Sequence, residues 1–160
     1  MDESVTLKKL AQKFPDAVVG THRFRGDDTV IVTKDKIRDI CFFLRDDPDL
    51  LYNFMMDLTV VDYLGREPRF EVVYHLYSLA HNQRVRLKAL VPESDLTIDS
   101  VVPVWIAADW FEREAYDMYG VVFQGHPNLR RILLYEGFEG HPLRKDYPLK
   151  KRQPLIGPVN

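Results

Sequence analysis

The chain has 160 residues, of which 46% are hydrophobic and 29% are charged, with 22 Lys and Arg against 24 Asp and Glu. This length and composition suit a single domain with its own core and exclude extensive intrinsic disorder. The single cysteine excludes both a disulfide framework and a four-cysteine iron–sulfur site. The longest run without Asp, Glu, Lys or Arg is 12 residues, whereas a membrane-spanning helix needs ~20. The start of the chain resembles no export signal, so we expect a soluble, intracellular protein.

The first hundred residues alternate between amphipathic helices and strands. Ser4 is placed to cap a first helix that ends at Pro15, and the spacing of apolar residues predicts a second helix from Ile37 to Leu44, before Pro48. Alternation of apolar residues predicts strands at 17–24, 29–33, 54–63, 69–78 and 84–91. Strands joined by short connections favour a mostly antiparallel sheet, with the two helices packed on one face. The predicted fold class is therefore α+β.

Local motifs for cofactors are absent from this sequence. Neither G-x-G-x-x-G nor G-x-x-x-x-G-K-[ST] occurs, and the five histidines include no H-x-x-x-H pair, so nucleotide and metal binding have no local support. Cys41 falls on the apolar stripe of the second helix, where we interpret it as a buried hydrophobic residue. Arg84, Arg86 and Lys88 alternate along the last strand of the sheet, and we interpret them as a solvated face.

A third helix is predicted over 105–119, with Gly120 in the left-handed conformation that ends many helices. At about 100° per residue, the helix divides into an apolar arc and an opposite polar arc. The polar arc holds Asp109, Arg113, Glu114 and Asp117.

Two features of this helix depart from the usual pattern of a surface helix. Glu112 projects into or beside the apolar arc, and a buried carboxylate without a partner costs several kcal/mol. We therefore expect Glu112 to pair with Arg130 or Arg131, or with a donor of a partner chain. Conversely, Ile106 and Trp110 lie among charged residues, where an exposed aromatic side chain is often an anchor for another protein.

The chain changes character after Gly120. Residues 120–152 contain four glycines and three prolines among short apolar islands, and Gly-His-Pro occurs twice, at 125–127 and 140–142. Such a long irregular run is unusual in a compact domain, yet it contains too many aromatic and aliphatic residues for a disordered linker. We interpret it as an extended, irregular C-terminal arm that a second protein completes. The alternative is a tail that wraps its own domain.

The stretch from 112 to 149 carries a specific pattern. Residues 112–120 read Glu-Arg-Glu-Ala-Tyr-Asp-Met-Tyr-Gly, and a histidine, a basic residue and two aliphatic residues follow at fixed spacing. This pattern closely resembles the signature of the C-subunit of respiratory NADH–quinone oxidoreductase (complex I), and residues 140–149 look like its continuation. The matching positions are Glu112, Arg113, Glu114, Asp117, Met118, Tyr119, His126, Arg130, Ile132 and Leu133. For residues 1–98 only the compatible order of elements supports the resemblance.

The resemblance implies a subunit of the hydrophilic arm of complex I that carries no cofactor, metal or catalytic residue and docks on the D-subunit, which holds the quinone site. The whole complex would pass electrons from NADH through FMN and iron–sulfur centres to quinone, coupled to proton translocation. The chain would be peripheral, on the cytoplasmic side of the inner membrane, and would reach the membrane only through the complex. Further interface candidates are Trp110, Arg131, Arg144 and Lys145. The predicted division is an α+β body (1–98), a signature helix (99–120) and an arm (121–160) that wraps a partner subunit.

Two other functions stay open. Similar subunits occur in membrane-bound hydrogenases and in ferredoxin- or F420-linked dehydrogenases, and nothing in this chain identifies the electron donor. The third hypothesis is an unrelated nucleic-acid-binding module that uses Arg84, Arg86, Lys88 and the basic C-terminal residues. If the chain is a subunit of complex I, as the resemblance implies, no nucleic acid partner is expected.

Overall fold

The computed structural model describes residues 4–150 and 153–154, which form an α+β fold. The helices are α1 (Val5–Lys13), α2 (Ile37–Asp46) and α3 (Ala108–Tyr119). The strands are β1 (Val18–Phe24), β2 (Asp27–Thr33), β3 (Phe54–Asp62), β4 (Phe70–Ser78), β5 (Gln83–Val91), β6 (Thr97–Asp99) and β7 (Val122–Gln124). Within the described ranges, no helix is both long enough and apolar enough to cross a membrane.

Strands β1 to β5 form one mixed sheet in the order β1-β2-β5-β4-β3. The pairs β1–β2, β3–β4 and β4–β5 are antiparallel, whereas β2 and β5 run parallel, with Val30 beside Leu87. The predicted α+β class with a mostly antiparallel sheet is confirmed. The parallel pairing of β2 with β5 was not predicted from the sequence. This pair needs a long crossover, which α2 and the β3–β4 hairpin provide.

The core lies on one face of this sheet. Alternate residues such as Val30 and Leu87 share a cluster of buried hydrophobic residues with Leu10 of α1 and Ile40 of α2. Cys41 belongs to the same cluster and is fully buried, as predicted, and burial raises the pKa of its thiol. Cys41 is therefore a protonated packing residue.

The basic residues of β5 are used within the sheet. Arg86 Nη1 donates a hydrogen bond to Thr29 Oγ1 at 3.1 Å, and Lys88 Nζ lies 2.9 Å from a carboxylate oxygen of Glu71. Arg84 is exposed near the start of the strand. Cross-strand contacts thus account for part of the basic row.

Helix α3 is held at both of its ends. It begins at Ala108, three residues later than predicted, because residues 101–107 form turns in which Trp105 N donates to Val101 O at 3.0 Å. At its other end Gly120 has φ +79°, which confirms the left-handed cap. Strands β6 and β7, on either side of α3 in sequence, pair in parallel and bring the two flanking segments together.

Candidate functional site

Glu112 lies on the core side of α3 and is fully buried. Its Oε2 accepts a hydrogen bond from Ser100 Oγ at 2.6 Å, and its Oε1 accepts one from Val101 N at 2.7 Å. The predicted pairing with Arg130 or Arg131 is wrong, because helical side chains lean towards the N-terminus of their helix and Glu112 reaches the segment before α3. Burial raises the pKa of Glu112 to about 7, although the two hydrogen bonds act in the opposite direction.

The segment that Glu112 holds is also tied to α2. Arg38 Nε donates to Ser100 O at 2.9 Å, and Arg38 Nη2 donates to Gln124 O at 2.9 Å. Ser100 N donates to the same Gln124 carbonyl at 2.9 Å. Neither Arg38 nor Ser100 was predicted from the sequence, since nothing local links positions that lie 62 residues apart.

Asp117 is fully buried, although its place on the polar arc predicts exposure. Its Oδ2 accepts hydrogen bonds from the backbone N–H groups of Ile132 at 3.1 Å, Leu133 at 2.9 Å and Leu134 at 2.9 Å. Its Oδ1 lies 2.9 Å from Arg131 Nη1. Burial opposes ionisation of this carboxyl, but the hydrogen bonds from the arm prevail and lower its pKa. Asp117 therefore binds the arm as a buried carboxylate.

Arg113 also faces the arm. It is 9% exposed, and it donates from Nε to Arg130 O at 3.2 Å and from Nη2 to Arg131 O at 3.4 Å. Its guanidinium lies 5.4 Å from the centre of the Trp110 ring. Glu114, in contrast, is exposed as predicted. The polar arc of α3 is thus partly a binding surface for the chain's own arm.

His126 fixes the first turn of the arm against the start of α3. Its side chain is fully buried, and its Nδ1 accepts a hydrogen bond from Asn128 N at 2.9 Å. Nε2 therefore carries the hydrogen and donates to Asp109 O at 3.1 Å. Both nitrogens of the ring are used within the chain.

The arm returns to α3 at the C-terminal end of the helix, where the last carbonyl groups lack partners within the helix. Three donors of the arm satisfy them: His141 Nδ1 to Asp117 O at 2.9 Å, Leu143 N to Met118 O at 3.2 Å and Arg144 Nε to Tyr119 O at 2.6 Å. Burial lowers the pKa of His141. At these positions the arm packs on its own domain, which was the alternative interpretation.

A buried arginine joins the arm to the sheet. Arg69 is 3% exposed and donates to both carboxylate oxygens of Asp62 at 2.8 Å, and it also lies 2.6 Å from Glu93 and 2.9 Å from Asp146. Lys145 N donates to Asp62 Oδ2 at 2.8 Å. The hydrogen bonds from Arg69 lower the pKa of Asp62 against the effect of burial. Lys145 was an interface candidate from the sequence, whereas Arg69 and Asp62 were not predicted.

Large apolar side chains stay exposed beside these polar contacts. Ile106 is 85% exposed, Trp110 65% and Leu133 62%, which confirms the exposure predicted for Ile106 and Trp110. Within residues 4–150 and 153–154, no three His, Cys, Asp or Glu side chains are grouped to hold a metal ion. The site therefore combines polar groups that are hydrogen-bonded within the chain with large apolar side chains that are exposed to solvent.

Comparisons with known protein sequences extend the resemblance beyond the signature. A family model described as "Respiratory-chain NADH dehydrogenase, 30 Kd subunit" matches residues 30–153. The NADH-quinone oxidoreductase C-subunit of Roseiflexus sp. (strain RS-1) is 50% identical over 149 residues, which cover 93% of this chain and 86% of that protein. The C-subunit of the same enzyme from Geobacter sulfurreducens is 52% identical over 152 residues, which cover 93% of each chain. The similarity thus includes most of the α+β body.

The fold also resembles solved structures, among them the following two. A trypsin-resistant fragment (1–134) of Nqo5 is 28% identical with a TM-score of 0.65, and the match covers 78% of this chain and 100% of the fragment. A chain of the membrane-bound sulfane sulfur reductase, an archaeal respiratory membrane complex, is 26% identical with a TM-score of 0.75. That match covers 90% of this chain and 84% of the other.

Proposed function

Because this chain belongs to the family of the 30 Kd subunit of respiratory-chain NADH dehydrogenase, we propose that it is a structural component of the hydrophilic arm of a proton-translocating NADH–quinone oxidoreductase. It docks on the quinone-site subunit, carries no redox centre and catalyses no reaction alone. The whole complex passes electrons from NADH through FMN and iron–sulfur centres to quinone. The chain is peripheral, on the cytoplasmic side of the inner membrane, and meets the membrane only through the complex.

The observation that carries this proposal is the way in which the signature residues are used. Glu112, Asp117 and His126 are titratable groups of the signature that lie buried, and each bonds to a neighbouring segment of its own chain. A general acid or base must instead reach the proton that it transfers to or from a substrate. These three residues therefore support a role in shaping the surface around α3.

The surface that they shape suits a protein partner. Trp110 and Leu133 are large, apolar and mostly exposed, and they flank the contacts that fix the arm. Exposed aromatic and aliphatic residues on a rigid support are typical of the centre of a protein–protein interface. We infer that the quinone-site subunit covers this surface, together with the outer side of residues 121–150, Arg144 and Lys145.

A second candidate keeps the fold but changes the complex. The match to a membrane-bound sulfane sulfur reductase supports an equivalent subunit in a related membrane-bound hydrogenase or in a ferredoxin- or F420-linked dehydrogenase. The identity of about half of all aligned residues to two C-subunits favours the NADH-linked complex. The nucleic-acid hypothesis has less support, because Arg86 and Lys88 make contacts within the sheet.

Purification of the native complex tests the proposal. The full chain is tagged at its chromosomal locus, the complex is isolated in mild detergent, and its subunits are identified by mass spectrometry. We expect the quinone-site subunit and an NADH-oxidising flavoprotein to co-purify, with NADH-driven quinone reduction in the same fraction. A large subunit with nickel-binding cysteine pairs would support the second candidate. Stoichiometric flavin or iron in the isolated chain would contradict the structural role.

A further inference from the structure

An open groove of about 700 Å³ runs between α3 and residues 129–137 of the arm. Its lining includes Arg113 and Tyr116 from the helix and Arg130, Arg131, Leu134 and Glu136 from the arm. Apolar surface and guanidinium groups thus line the same depression. The groove lies on the side of the arm where α3 and residues 130–134 are fixed to each other by Arg113 and Asp117.

The charges of this lining are unbalanced. Three arginines face one acidic residue, Glu136, in the groove. Asp117 partly neutralises Arg131 from below, whereas Arg113 donates to backbone carbonyls, which carry no formal charge. An excess of guanidinium groups in a partly enclosed site attracts carboxylates.

Of the three arginines in the lining, Arg130 is the one whose guanidinium no described residue binds, so it is free to bind a partner. Its side chain is exposed, and it has no hydrogen-bond or ion-pair partner within the described part of the chain. Its backbone is nevertheless fixed, because its carbonyl accepts a hydrogen bond from Arg113 Nε at 3.2 Å. A cation on a fixed backbone loses less conformational freedom when it binds a partner.

An exposed aromatic side chain lies beside one arginine of the groove lining. Trp110 is 65% exposed and its ring lies beside Arg113, which lines the groove. Interface residues that contribute most of the binding energy are enriched in Trp, Tyr and Arg. Arginine in particular binds carboxylates through two parallel hydrogen bonds.

We propose that this groove binds an acidic segment of a neighbouring protein subunit, with a carboxylate on Arg130 and apolar side chains against Tyr116 and Leu134. The proposal rests on the proposed function, since it requires that the chain be part of a complex. The apolar lining favours a peptide, because a nucleic acid backbone offers charge without apolar side chains.

Cross-linking in the intact complex tests this contact. Arg130→Lys places a primary amine in the groove, and a carbodiimide couples an amine to a carboxylate in direct contact with it. Mass spectrometry is expected to find position 130 linked to an Asp or Glu of another subunit. Arg84→Lys, on the exposed end of β5, is the matched control and is expected to give no such link. Links from position 130 to this chain alone, or no link in an intact complex, would overturn the proposal.

A charge reversal provides a second measurement. We expect Arg130→Glu to reduce the fraction of the chain retained by the complex at about 0.5 M NaCl by at least about fivefold relative to Arg84→Glu. Equal retention of the two variants would overturn the proposal. Release of the chain by nuclease would assign the groove to nucleic acid and would overturn it as well.

Membership in a complex and the contact at position 130 are tested separately. If the wild-type tagged chain purifies without other subunits, both the proposed function and the proposal that the groove binds an acidic segment are overturned. If the complex is intact but position 130 contacts no carboxylate of another subunit, the proposal that the groove binds an acidic segment is overturned and the proposed function is not.

Discussion

The guanidinium of Arg131 lies 2.9 Å from the carboxylate of Asp117, and this ion pair joins the arm to the helix that precedes it. The same guanidinium donates from Nη1 and Nη2 to Gly140 O at 3.2 Å, so that it also links two distant positions of the arm. Because Asp117 is fully buried beneath these contacts, a residue of the signature acts here as an anchor for irregular backbone.

Removal of the anchor is expected to release the arm. Asp117→Ala leaves three partly buried backbone N–H groups without their acceptor and removes the ion-pair partner of Arg131, which keeps its hydrogen bonds to Gly140 O. A backbone group left without a partner costs up to about 1–3 kcal/mol, depending on its burial. We expect trypsin to cleave after Arg130 or Arg131 at least about tenfold faster, while the body resists cleavage. Limited proteolysis with mass spectrometry measures the rate. Glu114→Ala, an exposed acid on the same helix, is the control, and equal rates in both variants would contradict the prediction.

The buried carboxyl of Glu112 makes stability depend on pH. Its pKa is about 7 in the folded chain against an ordinary value of 4.5, so the folded state keeps this proton where the unfolded state loses it. The stabilisation is complete below about pH 4.5 and is lost as pH rises through about 7, a decrease of about 3 kcal/mol.

Glu112→Gln removes this titration while keeping an acceptor for Val101 N. We expect the free energy of unfolding of the variant, relative to wild type, to rise by about 2.5 kcal/mol between about pH 5 and about pH 8. Urea unfolding at the two pH values measures it. A constant difference between variant and wild type would show that Glu112 does not titrate in this range.

Gly120 tests the contact between the helix cap and the arm. A Cβ at this position would lie 2.6 Å from His141 Nε2 and 2.8 Å from Arg144 Nη2, and φ is +79°. At Gly137 φ is +88°, but a Cβ would meet nothing within 4 Å. Backbone strain of about 1–2 kcal/mol is therefore common to Gly120→Ala and Gly137→Ala.

The difference in stability between the two glycine variants measures the contact of His141 and Arg144 with the helix cap, because the backbone strain is common to both. We expect Gly120→Ala to lower the free energy of unfolding by about 1–2 kcal/mol more than Gly137→Ala, because two side chains must move. Chemical denaturation of both variants measures this difference. If the two losses are the same, His141 and Arg144 do not pack on the cap as described.

The ion pairs of Arg69 differ in burial and should differ in effect. Asp62 has a fully buried side chain, whereas that of Asp146 is 49% exposed. Asp62→Ala leaves Arg69 buried without its main partner, and we expect a loss of about 3–5 kcal/mol. Asp146→Ala should cost no more than about 1 kcal/mol, because water screens the exposed pair. Urea unfolding compares the variants, and losses of equal size would refute this ranking.

Trp110 tests the proposed interface. Trp110 and Leu79 are both 65% exposed, but Leu79 lies in the turn between β4 and β5 and outside the signature. We expect Trp110→Ala to reduce recovery of the assembled complex at least about tenfold, as loss of an interface anchor does. Leu79→Ala should assemble like wild type. Native gels of membranes from the two strains measure assembly, and equal recovery would place the interface elsewhere.

Regular elements followed from local periodicity. Alternation of apolar residues located β3, β4 and β5 to within one or two residues, and the spacing of Ile37, Ile40, Cys41 and Leu44 located α2. Helical projection also predicted that Glu112 is buried and that Trp110 is exposed. These successes share one cause: burial of a repeating face leaves a period in the sequence that neighbouring residues carry by themselves.

The burial of Asp62 could have been predicted from the alternation along β3, but it was not. This residue falls on the inward phase of β3, after Leu58 and Val60. Its partner Arg69 lies seven residues away across a turn. An acid on the inward phase of a strand requires a cation, and the nearby arginine was the obvious candidate.

The sequence by itself determined α1, α2, most of α3, the five strands of the larger sheet and the family signature, because each depends on residues that are close together in the chain. It did not predict β6 and β7, which are three residues long and pair across α3. The tertiary structure alone decided that β2 lies beside β5, that Glu112 binds Ser100, and that Asp117 and Arg113 turn from the polar arc to the arm. A helical projection treats everything outside the helix as water. The arm folds back onto α3 and replaces that water with its own backbone, so the polar arc became a binding surface.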